Sequence, residues 1–310
     1  MKRLFLLTLF FVGFSILSAQ TVEVNAYGVS PRAADSSEVD IFDRAFNGLL
    51  NVGVETQMYL VGSADATLTG VSWSVDTAPG GSVAEITVTT DLDTSHQVAV
   101  FTPDVTGTYV VTFNANGMSA SATINAGLYL GNGGGTPCAT CHSGKVDDWE
   151  GTGHADALDR GLDGLKGDHF AGYCVSCHST GYDANADNDG FDDFPFVFPD
   201  TLFAGIADSM YATYPDAMAR ANIQCESCHG PGSAHNANVT DSRMVSSLST
   251  KVCESCHNAG THHVYPDQWD ISGHANPPQR GGNWSSSCVR CHTTEGFITF
   301  TDGEATSSQP

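Results

Sequence analysis

Residues 225–235 read Cys225-Glu-Ser-Cys228-His229-Gly-Pro-Gly-Ser-Ala-His235, and the first five decide how the second half of the chain folds. In a helical turn, residues i, i+3 and i+4 share one face. Two thiols and an imidazole so placed can take the two vinyl groups of one porphyrin as thioethers and bring the histidine beneath its iron. This is the attachment signature of c-type haem. The spacing recurs at Cys138-Ala-Thr-Cys141-His142, Cys174-Val-Ser-Cys177-His178, Cys253-Glu-Ser-Cys256-His257 and Cys288-Val-Arg-Cys291-His292, and the five copies use all ten cysteines.

Paired Cys-x-x-Cys units also build tetrahedral zinc sites. Zinc does not require a histidine after every second cysteine, however, and no cysteine is left over for a disulfide. The expected cofactors are therefore five covalent haem c groups, with His142, His178, His229, His257 and His292 as proximal ligands. Six further histidines lie in this region as distal candidates: His154, His169, His235, His262, His263 and His274. Most of the haems should then be bis-histidine.

Two of the six sit in an internal repeat, Trp149-Glu-Gly-Thr-Gly-His154-Ala and Trp269-Asp-Ile-Ser-Gly-His274-Ala. Thr152 and Ser272 are expected as helix N-caps that place each histidine in a first turn, where the helix dipole favours neutral imidazole. His235 follows a Gly-Pro-Gly turn suited to close passage of the backbone over a porphyrin. Of the adjacent His262 and His263, one is expected to ligate and the other to lie in a supporting or surface position. His169 is open between ligand and surface residue. Met210, Met218 and Met244 read as packing residues rather than thioether ligands.

The run Cys-Glu-Ser-Cys-His-Gly-Pro-Gly-Ser-Ala-His, together with Trp-x-x-Ser/Thr-Gly-His-Ala, resembles the multihaem cytochromes c related to the tetrahaem electron acceptor of hydroxylamine oxidation. The resemblance covers roughly residues 138–300. It implies stacked haem pairs, mainly His/His ligation and electron transfer, and it points to His154, His235 and His274 as distal ligands. The chain departs from that pattern in having five motifs and an additional N-terminal region.

That region, residues 21–128, has no cysteine. Segments 71–75, 85–90, 97–101 and 108–113 alternate as short strands between turn residues. Asp104-Val-Thr-Gly-Thr-Tyr109 resembles the tyrosine corner of immunoglobulin-like sandwiches. The expected fold class is multidomain: an N-terminal all-β Ig-like sandwich over 21–128, a Gly-rich joint over 129–137, and a mainly α/irregular pentahaem domain over 138–300. A polar tail follows over 301–310. Roughly 35 residues per haem leaves little protein for an apolar core of its own. Residues 1–19 have the basic end, apolar run and small-residue cleavage site of a secretory signal, so the expected location is periplasmic or extracellular.

The stretch 183–193 places Asn185, Asp187, Asp189 and Asp193 at the spacing of a Ca²⁺ loop, without the glutamate that completes an EF-hand. An acidic solvated loop is the alternative. The chain has 35 acidic against 12 basic residues. This argues against nucleic acid and suits a basic redox partner. An electron carrier is the leading expectation. A reductase of small nitrogen or sulfur oxyanions at one five-coordinate haem, and a self-assembling extracellular cytochrome, are the rivals.

Overall fold

The computed structural model describes residues 21–29, 46–47, 49–91, 93–131, 138–238, 240, 244–245, 250–259, 263–264, 268–269 and 272–273. The secretory signal, most of the Gly-rich joint, the polar tail, His262, His274 and the motif Cys288–His292 lie outside them.

The N-terminal half is a two-sheet β-sandwich. One sheet has the order β2-β1-β4-β7-β6, all antiparallel, formed by β1 (Val22–Val29), β2 (Phe46–Asn47), β4 (Met58–Ala64), β6 (Ile86–Asp91) and β7 (His96–Phe101). The other has the order β3-β9-β8-β5, with β3 (Asn51–Gly53) parallel to β9 (Met118–Gly127), and with β8 (Gly107–Ala115) and β5 (Ser72–Thr77) antiparallel. Of the four segments read as strands, 97–101 and 108–113 fall within β7 and β8, and 71–75 and 85–90 begin one residue ahead of β5 and β6. Tyr109, Val111, Phe113 and Ala115 alternate inward along β8, all fully buried. They meet Leu60, Phe101 and Ile124, with Phe101 edge-on to Tyr109 at 5.3 Å and Trp73 against Phe113 at 4.6 Å. The Tyr109 hydroxyl turns back four residues. It accepts from Val105 N (2.9 Å) and faces Val105 O (2.8 Å) and Asp104 Oδ1 (3.0 Å).

The second half is built of short helices and long loops. Its helices include Ala139–Glu150, Ala157–Leu162, Ile206–Thr213, Cys225–His229, Ser233–Ala237 and Thr250–His257. Contrary to the expectation of little independent core, Leu158, Leu162, Phe170, Val175, Phe191, Met210 and Met218 form an apolar cluster of their own. Leu158, Leu162 and Phe170 come from the stretch between the first and second motifs, and Phe191, Met210 and Met218 from the long insert between the second and third, so both spacers supply apolar residues without having to carry a haem. Met210 and Met218 are buried there as packing residues.

The two halves are packed together. Val252 of the helix Thr250–His257 is buried in the sandwich core. Buried Asn51 donates through Nδ2 to His229 O (2.9 Å) and Pro231 O (3.3 Å). Ser233 Oγ accepts from Leu128 N (2.9 Å), and Tyr129 N donates to Asn188 O (2.9 Å). Gly230, at φ +79°, was expected to clear a porphyrin. It instead meets the sandwich, where a Cβ would collide with the Asn51 carbonyl oxygen.

Tyr109→Phe removes one hydroxyl and strands the partly buried Val105 amide and carbonyl. We expect a loss of about 1–3 kcal/mol, read as a lower urea midpoint for the Trp73 fluorescence transition with an unchanged slope.

Candidate haem-binding site

Each described Cys-x-x-Cys-His lies on a tight helical turn. At the first motif, Cys138 O accepts from Cys141 N (3.1 Å) and His142 N (2.8 Å). The second motif follows a 3₁₀ turn, Gly172–Cys174, into the helix Val175–His178. The third is the helix Cys225–His229, and the fourth ends the helix Thr250–His257. The local geometry that the spacing requires is thus present at all four. None of the eight described cysteines is in a disulfide. Among the described residues no group of three or more His, Cys, Asp or Glu side chains converges as a metal site.

The imidazoles are paired across motifs. His142, of the first motif, faces His235 with ring centroids 6.4 Å apart and planes 29° from parallel. His257, of the fourth, faces His154 at 6.1 Å and 44°. Two metal–imidazole bonds of about 2.0 Å, plus about 1.1 Å from each nitrogen to its ring centre, put trans centroids about 6.2 Å apart. At these separations the two rings of each pair could hold one haem iron between them.

The turn carrying His154 is clamped from a distance. Trp149 Nε1 donates to Ile223 O (2.8 Å), Ile223 N donates to His154 O (3.1 Å), and Thr152 Oγ accepts from His154 N (3.3 Å). Thr152 is not the expected N-cap. Its hydroxyl donates to Trp149 O (2.7 Å), and the next helix begins only at Ala157. That helix is entered by a remote residue: Asn222 Oδ1 accepts from Leu158 N (2.7 Å) and Asp159 N (3.2 Å). The Ser272 N to Trp269 O bond (2.8 Å) reproduces the Thr152 N to Trp149 O bond of the first copy (2.8 Å), so the two copies share this turn.

Two other proximal histidines are oriented by backbone carbonyls. His178 Nδ1 bonds Ala157 O (3.0 Å), and His229 Nδ1 bonds Val245 O. With Nδ1–H donating, Nε2 is left to a metal. Phe170 packs edge-on to His178 at 5.2 Å. His169 is exposed, and its carbonyl accepts from the Tyr173 hydroxyl (3.2 Å). His263 lies on the short strand His263–Val264.

The attachment sites crowd one another. A cavity of about 270 Å³ is lined by Cys177, His178, Cys228, Cys253, Cys256 and His257, which belong to three motifs, and by His154. The Cys225 thiol is pushed up by its hydrogen bond with Cys138 and by burial, which places the first and third motifs side by side. Cys228 opens on the cavity, yet protein crowds its other sides. Burial and the nearby Cys253 push its thiol up. A thioether has no proton to lose, so attachment removes the cost of burying these sulfurs. Glu226, between the cysteines of the third motif, is buried and pushed up by desolvation. Its oxygens accept from Leu130 N (3.1 and 3.2 Å), Gly131 N (3.0 Å) and Gly232 N (2.6 Å). Gly131, expected in a flexible joint, is thus tied to the haem region.

Comparison with known families agrees with this geometry. Residues 137–195, which hold the first two motifs, match the family Cytochrome c554 and c-prime. Residues 212–293, which hold the other three, match Cytochrome c7 and related cytochrome c. These matches support a multihaem c-type cytochrome. No curated protein matches the chain. Among the described residues no helix is long and apolar enough to cross a membrane.

The acidic stretch closes on its own backbone. Asp193 Oδ2 accepts from Asn188 N and Gly190 N (both 2.9 Å), and Asp183 Oδ1 accepts from Asn185 N (3.1 Å). Asp192 is pushed up to about 6 by burial. Asp187 N donates to Glu55 of the sandwich (3.1 Å), and Asp189 O accepts from Arg220 Nε.

Removing one distal imidazole should open one iron and leave the other pair intact. His235→Ala and His154→Ala are each expected to convert about one haem from low-spin to high-spin in the ferric EPR spectrum, and the double variant about two.

Proposed function

We propose that this chain is an exported pentahaem c-type cytochrome that relays electrons through closely spaced haems, most of them held by two histidines. The observation that carries this is the crossing of the axial pairs. The segment after the first motif supplies His154 opposite His257, and the segment after the third supplies His235 opposite His142. Attachment sites that exchange ligands in this way must interleave. The contacts of Cys138 with Cys225 and of Cys228 with Cys253 support the same close spacing.

Bound haem supplies reversible one-electron chemistry at iron. The chain's part is to fix the imidazoles and keep the surroundings rigid. The Nδ1 bonds of His178 and His229 hold one tautomer and one ring orientation. The Trp149–Ile223–His154 clamp does the same for a distal ligand. By the Trp-x-x-Ser/Thr-Gly-His repeat, His274 takes the role of His154 at another iron, and His262 or His263 completes a further site. The likeness to the tetrahaem acceptor of hydroxylamine oxidation belongs to this proposal, as do the fifth haem at Cys288–His292, the secretory signal over 1–19 and the domain limits 21–128, 129–137 and 138–300. The Tyr109 hydroxyl bonds support an immunoglobulin-like class for the sandwich. Its role here is that of a rigid partner to the haem region rather than a tethered spacer.

Haem c is the only cofactor in this reading. The loop containing Asn185, Asp187, Asp189 and Asp193 is braced by backbone amides on Asp193 and by Arg220 on the Asp189 carbonyl, contacts that support its shape without an ion.

Intact mass and EPR of the exported protein test the proposal. We expect the added mass of five haems, no free thiol, and a ferric spectrum dominated by low-spin signals. Unmodified or zinc-bound cysteines would sink it. A dominant high-spin signal together with turnover of nitrite, hydroxylamine or tetrathionate would favour the reductase instead. Separately, excess EDTA is expected to leave the melting temperature within about 1 °C. A drop of several degrees, restored by Ca²⁺, would add the ion to the cofactor set.

A further inference from the structure

The outer surface over the second attachment motif carries a feature that the haem sites do not use. Segments 164–172 and 198–203 run side by side in opposite directions. A Cβ on Gly164 would stand 3.1 Å from the Leu202 carbonyl oxygen, and one on Gly172 would stand 3.6 Å from Phe198 Cβ. The inner side of this double strip is packed. Phe170 lies 5.2 Å from the His178 ring and 6.2 Å from the Phe198 ring, and Leu202 joins the apolar cluster beneath. The outer segment is pinned at its end by Asp163 Oδ1, which accepts from Gly205 N (3.1 Å) and Ala207 N (3.0 Å).

The outward side is apolar. Leu165 is 66% exposed, Tyr173 59%, Val197 66% and Phe203 58%, four of the seven large apolar side chains exposed among the described residues. None of the four lines the haem cavity, which Lys166 borders instead. Exposed Asp168 and Asp200 lie along the same two segments. An apolar patch with an acidic border, held rigid and set directly over an attachment motif, has the composition of a transient protein interface.

We propose that this strip is the docking face for a lysine-rich redox protein, seated over the second haem; the proposal rests on the electron-transfer reading. Charge selects this occupant over the others. A second copy would bring the same excess of 35 acidic over 12 basic residues against itself. An anionic bilayer would be repelled for the same reason. A basic surface is drawn to Asp168 and Asp200, and its apolar centre gains by covering Leu165 and Phe203.

The test uses the holo-protein and mitochondrial cytochrome c, a lysine-rich single-haem protein, as probe. Binding is measured by surface plasmon resonance at low and moderate ionic strength, and reduction by dithionite is followed in parallel. The native chain should bind, and binding should weaken roughly tenfold as ionic strength rises past the screening range. Leu165→Ser with Phe203→Ser should weaken binding by about tenfold or more. Visible spectrum, melting temperature and dithionite reduction should stay native. Val83→Ser with Val88→Ser, on the sandwich, serves as the control and should bind as the native chain does. The docking face is overturned if the strip variant binds the probe like the native chain, if both variants lose affinity equally, or if the native chain sediments as a dimer that the strip variant dissolves. Failure of the native haems to take up electrons from dithionite would instead overturn the electron-transfer reading, whatever the binding result.

Discussion

Two imidazoles from remote segments held about 6 Å apart are a long-range constraint that the chain can meet only by bringing those segments together. His142 with His235, and His154 with His257, do this twice, and the two ties cross. The helices they connect run from 5 to 12 residues, too short to be stable on their own. In such a domain the axial pairs take the place of the long helix–helix seams of an ordinary α fold. The clamp on His154 shows the same logic one layer out. Trp149 and Ile223 fix the backbone of His154, and Asn222 fixes the start of the helix that follows.

The sandwich belongs to the same constraint. Asn51 holds the carbonyls of His229 and Pro231, so the backbone leaving the third motif is anchored on β3. Glu226 accepts from Leu130, Gly131 and Gly232, which stitches the chain leaving β9 to that same motif. A carboxyl buried there is costly unless its oxygens are satisfied, and three backbone amides satisfy them. Val252, one residue before the fourth motif, fills part of the sandwich core. A β-sandwich folds on a conventional apolar core without any cofactor. It can therefore present a firm surface to a second half whose own geometry is completed by covalent groups.

What the sequence made legible was local. The Cys-x-x-Cys-His spacing dictates a helical turn and its chemistry together. Asp104 to Tyr109 spans six residues and closes by hydrogen bonds within them. Which histidines face one another could not be read, because the paired residues lie far apart in the chain and leave no periodic trace. Asn222 caps a helix more than sixty residues away while holding φ at +69°, and nothing in its immediate neighbours announces this. Gly230 was correctly seen as a point of close backbone approach, but its partner is Asn51 and not a porphyrin. A glycine signals clearance without naming what is cleared. Thr152 has the composition of an N-cap, but its hydroxyl bonds the helix behind it.

The acidic loop shows how one side-chain pattern serves two different designs. Alternating Asp and Asn suit a cation because their oxygens converge, and they suit a closed turn because the same oxygens accept backbone N–H groups. Here the amides have the prior claim. Asp183 and Asp193 are already occupied, and Asn188 reaches out of the loop to Thr56 of the sandwich (3.2 Å). The backbone carbonyl of Asp189 goes to Arg220, whose guanidinium also stacks on Phe194 at 4.1 Å. A loop so committed works as a strut between the sandwich and the apolar cluster beside the second motif. That strut, the Asn51 anchor and the Glu226 stitch reach the haem region at separate points, and attachment at several separate points is what restrains rotation of one body on another. Rigidity of this kind matters most where electrons pass between fixed centres, because any reorientation of a ligand ring on reduction adds directly to the barrier.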